Sequence, residues 1–263
     1  MIYSYRDIIS SLKEANIKRG DSIFLTTSLG MCGQVKGVLN LNDLNKLYFE
    51  AITSVIGENG TIVVPTYSYS FSENQKTSIF DLQKTESKIG SFANFFLKQE
   101  DVCRSIDPMI SVAIFGKKNK LLLRNLPFNS YGKDCIFERM LSYNFKCCNI
   151  GLDLNWIPFL HYADWVNNCP FRFNKFFKGV IIDAGIKKEV KWDYYCRILR
   201  DETIANGHKI KDKANKSNLF TNAKLGRAAI YVIDYTDYYR FVIEVIKSDP
   251  WITVNGPKFN TSL

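Results

Sequence analysis

Histidine is the side chain whose ordinary pKa best suits proton exchange near neutral pH, and this chain of 263 residues has only two, His161 and His208. His161 lies in the apolar-rich run Ile157-Pro-Phe-Leu-His-Tyr-Ala-Asp-Trp165, three residues before Asp164. On a helix that spacing puts a carboxylate beside the imidazole, so the ring can carry a proton while the carboxylate sets its tautomer. Asp193, in Lys191-Trp-Asp-Tyr-Tyr195, is a second carboxylate that the fold could bring to the ring, and the sequence leaves the choice open. A histidine among Phe159, Leu160, Tyr162 and Trp165 also suits a buried, hydrogen-bonded core position.

Composition narrows the setting for this chemistry. With 46% hydrophobic and 14% aromatic residues the chain can bury a sizeable core, which excludes a disordered or fibrous protein. No basic leader precedes an apolar stretch at the amino terminus and no run approaches ~18 apolar residues, so a soluble, cytoplasmic protein without a membrane partner is expected. The seven cysteines are irregularly spaced, with Cys147 and Cys148 adjacent, and show no Cys-x-x-Cys. Reduced, mostly buried thiols and no metal site follow from that pattern. The net charge of +9 suits a polyanionic ligand, whether nucleic acid or the phosphates of a coenzyme or nucleotide sugar. A basic nucleic-acid-binding protein is therefore the rival of another class, using residues 171–178 and 208–216. No recognisable nucleic-acid motif accompanies those clusters, so nucleic acid is not the expected partner.

The elements that must position His161 alternate between helix and strand. Ser4 suits the cap of a first helix, Ser22 to Thr26 reads as a strand, and residues 41–56 as an amphipathic helix. Strands at 61–65, 110–115 and 146–151 and helices at 90–99 and 134–143 continue the rhythm. After residue 178 the pattern shifts: a hairpin turning at Gly185, a helix near 193–206, short strands between 208 and 234, and a helix from 236 to 248. The expected fold class is an α/β/α layered sandwich with a smaller C-terminal α+β portion. It forms one domain over 1–263, with a main portion at 1–178 and a C-terminal subdomain at 179–263 packed on it.

Two loops stand out. Ser28-Leu-Gly-Met-Cys-Gly33 follows the first strand, and a glycine-bearing strand-to-helix loop presents backbone N–H groups to an anion. Residues 66–88 carry Tyr67, Tyr69, Phe71 and Phe80 among hydroxyl side chains and are too long for a plain connector.

The ordered blocks Ser28-Leu29, Val64-Pro-Thr-Tyr67, Phe80-Asp81 through Gly90, Arg104-Ser105 through Ser111, Tyr131-Gly132 and Phe159-Leu-His161 resemble the aminoglycoside 3-N-acetyltransferase family. The resemblance covers about residues 19–180 well and implies a fold distinct from the widespread GNAT acetyltransferases. It also implies transfer of an acyl group, most simply acetyl, from acyl-CoA to an amine. On it, Thr27, Ser28, Leu29, Gly30 and Gly33 match the coenzyme cradle, Arg104, Ser105 and Ser111 its second wall, and His161 the general base. Three positions depart from the family pattern: Asp107 and Thr26 stand where histidines are usual, and Asp164 where glutamate is usual.

Tyr67, Phe80 and Asp81 on the aromatic loop are candidates for the acceptor site. The stretch Pro170-Phe-Arg-Phe-Asn-Lys-Phe-Phe-Lys-Gly179 resembles members found in surface-polysaccharide pathways, which implies that Arg172 and Lys175 face a diphosphate. The first reading is thus N-acylation of a nucleotide-linked amino-deoxysugar in bacterial glycan synthesis, such as lipopolysaccharide O-antigen. Aminoglycoside acetylation is the close alternative, and a homodimer is compatible with either. In both, His161→Ala should abolish transfer and leave coenzyme binding intact, as measured by thiol release and calorimetry.

Overall fold

The computed structural model describes residues 2–73, 78–155 and 157–261; residues 74–77, part of the long loop, lie outside them. The first half of the chain runs β1 (Ile2–Tyr3), α1 (Tyr5–Glu14), β2 (Ser22–Thr27), β3 (Gln34–Val35), α2 (Leu41–Ile56), β4 (Thr61–Pro65), α3 (Ser70–Glu73) and β5 (Ile79–Asp81). It continues with α4 (Gly90–Phe96), β6 (Cys103–Arg104), β7 (Val112–Gly116), α5 (Asn119–Leu123), α6 (Ile136–Ser142) and β8 (Phe145–Ile150). The remainder is α7 (Leu160–Val166), β9 (Arg172–Asp183), β10 (Ile186–Arg197), α8 (His208–Lys216), β11 (Phe220–Leu225), β12 (Ala228–Asp234) and α9 (Tyr235–Ser248).

Seven strands form the central sheet in the order β11-β12-β8-β2-β4-β7-β6. Only β8, β2 and β4 run parallel; the flanking pairs are antiparallel. Both faces are apolar because successive side chains point to opposite sides. In β2, Ile23 and Leu25 face the α1, α2 and α4 layer, while Phe24 faces the opposite core with Phe137, Phe159 and Tyr235. Cys147 and Cys148 divide in the same way, one thiol to each core. The α/β/α sandwich expected from the sequence is the fold observed.

Helices α1, α2 and α9 begin where a capping side chain satisfies their free N–H groups. The Ser4 hydroxyl accepts from Asp7 N at 3.3 Å while the Asp7 carboxylate accepts from Ser4 N at 2.7 Å, a reciprocal cap on α1. Asn40 caps α2 through Asp43 N at 2.9 Å.

Past residue 178 the structure departs from the local pattern. Residues 193–197 are strand, not helix, because their backbone is bonded on both edges: β10 pairs with β9 throughout, and Asp193 exchanges backbone bonds with Phe128 and Ser130, each 3.0 Å. Conversely, 208–216 is a helix with Ile210 and Ala214 buried four residues apart. The hairpin does turn at Gly185, whose φ is +82°. Residue 178 lies inside β9, and the chain beyond it supplies β11, β12 and α9 to the main sandwich. Among the described residues no helix is long and apolar enough to cross a membrane.

The loops after parallel neighbours β2 and β8 meet at the carboxyl ends of those strands. Ser28 N donates to Ile150 O at 2.9 Å, and Gly151, at φ +69°, lies so close that a Cβ would collide with the Ser28 carbonyl oxygen. Gly151→Ala should therefore cost about 1–3 kcal/mol, read as a lower melting temperature.

Candidate active site

Helix α7 follows the 151–159 loop and is held from behind by aromatic packing. Phe159 meets Tyr235 of α9 edge-on, with ring centroids 4.6 Å apart, and Tyr162 stacks on Phe137 and Trp165. These contacts occupy one side of the helix and turn His161 and Asp164 toward the β9–β10 hairpin. The His161 side chain is 31% exposed, whereas Asp164 is 1% exposed.

A buried carboxylate needs charge and hydrogen-bonding partners, and Asp164 has both. Arg172 Nε donates to its Oδ2 at 2.9 Å, and Thr253 Oγ1 donates to its Oδ1 at 2.7 Å. The Cys169 thiol lies 3.7 Å from Oδ1. The same guanidinium reaches His161: Arg172 Nη2 donates to Nδ1 at 2.7 Å, while Asp164 Oδ2 is 3.6 Å from that nitrogen. Arg172 Nη1 donates to the Tyr195 carbonyl at 3.3 Å. Of the two carboxylates left open by the sequence, Asp164 is the one beside the ring; Asp193 accepts from Asn174 Nδ2 at 2.8 and 3.0 Å.

These neighbours set the charge states. Burial and then the Arg172 charge push the imidazole below its ordinary pKa, against the pull of Asp164, so His161 is neutral at neutral pH. Burial alone would raise the Asp164 carboxyl, but His161, Arg172 and Thr253 outweigh it and hold the group below the ordinary carboxylate range.

Next to this network lies a cluster that sequence reasoning assembled only in part. Tyr69, Tyr131 and Tyr194 lie within electrostatic reach of Arg172, and Tyr67, Tyr69 and Tyr194 within that of Asp107. Tyr67 and Tyr131 are buried, Tyr69 and Tyr194 are partly open, and the Tyr67 hydroxyl has no partner among the described residues. Asp107 accepts from Met109 N at 2.7 Å and Ile110 N at 2.9 Å, and burial pushes its carboxyl up to about 6. No ion pair to Asp107 is formed among the described residues.

The other expected residues fall into two groups. Thr27 ends β2, and Ser28, Leu29, Gly30 and Gly33 form the turn after it, with Gly30 exposed and open space where a Cβ would stand. Arg104, Ser105 and Ser111 are instead buried, and their polar atoms bond to protein. Arg104 donates to the Thr66 carbonyl at 2.8 Å, to Ser111 Oγ at 3.0 Å and to the Thr85 carbonyl, and lies over the Phe80 ring at 4.7 Å. Desolvation lowers its pKa to about 10. This knot anchors the long loop to β7. Asp81 accepts from Gln83 N and Lys84 N, both at 3.0 Å, in a local turn. Lys175 is exposed, 5.0 Å over the Phe177 ring. Arg172 does not face outward to a diphosphate; the buried Asp164 charge draws it inward. Thr253, 89 positions from Asp164, and Tyr195, which contributes through its carbonyl, carried no local signal.

His161, neutral and partly exposed, and the buried carboxylate of Asp164 thus stand together on α7, which follows the loop at the carboxyl end of the parallel strand β8. Comparison with known proteins specifies the class: the aminoglycoside 3-N-acetyltransferase family model matches residues 25–247, and the chain belongs to that family. As a member it is a CoA-dependent N-acyltransferase. Among solved structures it resembles aminoglycoside acetyltransferase AAC(3)-Xa at TM-score 0.81 and 17% identity, over 94% of this chain and 93% of that one. AAC-IIIb, solved as a binary complex with CoASH, matches at TM-score 0.80 and 14% identity over 98% and 100%. The YokD protein from Bacillus subtilis matches at 0.75 and 17%, over 95% of each chain. No match is found among curated proteins.

Asp164→Asn leaves the Arg172 charge buried without its counterion and should cost about 3–5 kcal/mol in denaturant unfolding. Because the native carboxyl is depressed, the deficit is complete above pH 3.8 and shrinks as pH falls through the lower native value.

Proposed function

We propose that this chain transfers an acetyl group from acetyl-CoA to an amine of an aminoglycoside-type amino sugar in the cytoplasm. The observation that carries this reading is the cluster of Asp107 and tyrosines, of which Tyr69, Tyr131 and Tyr194 lie within electrostatic reach of Arg172, the partner of His161. A buried carboxylate with no cation paired to it among the described residues suits an ammonium group, and the neighbouring hydroxyls of Tyr67, Tyr69 and Tyr194 suit a hydroxyl-rich ring. Structural neighbours solved with sisomicin and with a gentamicin bind molecules of that chemistry. The first reading from the sequence, a nucleotide-linked acceptor, has lost its main support, since Arg172 is engaged with Asp164 and His161.

The thioester supplies the acyl group and a sulfur leaving group that needs a proton. Thr27 to Gly33 suits the coenzyme: the turn is glycine-bearing and open at Gly30, with exposed Lys36 and Arg227 near its end, and Arg227 N donating to Cys32 O at 2.9 Å. Asp107 and the tyrosine hydroxyls hold the acceptor. The acceptor ammonium loses one proton to solvent. His161, neutral and partly exposed, takes the second as the amine nitrogen bonds to the acyl carbon and the carbon–sulfur bond breaks, and returns it to the sulfur. This shuttle is worth about 10²–10⁴-fold in rate.

Thiol release with acetyl-CoA and a panel of amines tests the assignment; aminoglycosides should turn over, and turnover of nucleotide-linked amino sugars alone would refute it. Asp107→Asn should raise KM for the amine by about 10–100-fold, the loss of one hydrogen-bonded charge contact. The native carboxyl titrates near 6 against 3.8 unfolded, so wild type loses stability as pH rises between those values. The variant should thus be more stable than wild type at pH 7 by about 2–3 kcal/mol, which separates lost binding from lost fold.

A further inference from the structure

Arginine has no acceptor atom and does not lose its proton in proteins. Arg172 Nη2 therefore donates to His161 Nδ1 across 2.7 Å, and the lone pair of the neutral ring is at Nδ1. The single ring proton is then on Nε2. A general base working through Nε2 needs the opposite tautomer, with the proton on Nδ1 and an acceptor holding it there. Asp164 Oδ2 is that acceptor, but at 3.6 Å it is beyond hydrogen-bond length.

One nitrogen thus has two competing partners. The donor wins in the free enzyme because its guanidinium is gripped on three sides: Nε on Asp164 at 2.9 Å, Nη1 on the Tyr195 carbonyl at 3.3 Å, and Nη2 on the ring itself. Asp164 in turn is held by Thr253 at 2.7 Å. The charged groups that act on the ring are Asp164 from its own helix, Arg172 from β9 and Arg197 from β10. Closing 3.6 Å to a hydrogen bond takes a shift of under ~1 Å once Nη2 leaves.

We propose that Arg172 is a positioning residue that holds His161 in the Nε2–H tautomer in the free enzyme and must release Nδ1 to Asp164 before the ring can accept a proton. The ligand-free histidine presents a donor, not a base, to the cleft. This rests on the reading of His161 as the proton shuttle, but its test does not depend on turnover.

The experiment is long-range ¹H–¹⁵N correlation on the full chain labelled at histidine, at a pH where the ring is neutral. Only two imidazoles report, and the His208→Gln variant assigns them. Wild-type His161 should show a protonated Nε2 and an unprotonated Nδ1. In Arg172→Lys the charge beside Asp164 remains, but a single ammonium cannot bridge the carboxylate and the ring. The ratio of Nε2–H to Nδ1–H should fall by about tenfold or more, the scale of one charge-assisted hydrogen bond. Arg172→Met should show the same change. A wild-type ring protonated at Nδ1 overturns the proposal, as does an unchanged ratio in the lysine variant. If Arg172→Met does not fold, the other two spectra still decide. Failure of every amine panel with the expected tautomers would refute the proposed acceptor and leave the role of Arg172 standing.

Discussion

The Asp164–Arg172 pair is the contact on which the site depends. Both side chains are almost wholly removed from water, at 1% and 4% exposure, so each charge is tolerable only with the other in place. A buried pair of this kind contributes little net stability against an apolar substitute, yet breaking it is costly. Its value here is geometric. It joins α7, β9, β10 and the C-terminal segment at one point, because Asp164, Arg172, the Tyr195 carbonyl and Thr253 come from those four stretches of chain. His161 inherits its position and its neutral state from that junction.

A second buried cation plays a comparable part further along the molecule. Among the described residues Arg104 has no carboxylate within the ion-pairing distance found for Arg172; it is satisfied by the carbonyls of Thr66 and Thr85 and by Ser111. Lone-pair oxygens in a fixed ring satisfy a guanidinium without a counter-charge, and desolvation shows in its lowered pKa. The outcome is a long aromatic loop fastened to β7, which sets Tyr67 and Tyr69 beside Asp107. Arg172, which the resemblance implied would face a diphosphate, and Arg104, which it matched to the second wall of the coenzyme cradle, are both engaged internally. A net charge of +9 counted over the whole chain says nothing about which cations remain free to meet a ligand.

The legible parts of the fold were those governed by local rules. The strand 61–65 and helix 41–56 have the observed bounds because apolar periodicity, an Asn40 cap and flanking glycines all agree. Residues 193–197 read locally as helix because their aromatic pattern is satisfied by partners on β9 and at 128–130, which no local window contains. The same holds for chemistry. His161 and Asp164 were visible as a pair at helical spacing, whereas Thr253, Tyr194 and the inward turn of Arg172 depended on neighbours tens of residues away.

By itself the sequence determined the layered α/β class, the family resemblance and the histidine, since periodicity, turn residues and the scarcity of imidazoles are properties of short segments. Only the tertiary structure decided between Asp164 and Asp193, turned Arg172 from a phosphate ligand into the partner of Asp164, and gathered Asp107 with the tyrosines. Those choices follow from desolvation, which acts on side chains by their depth in the folded core and not by their order along the chain.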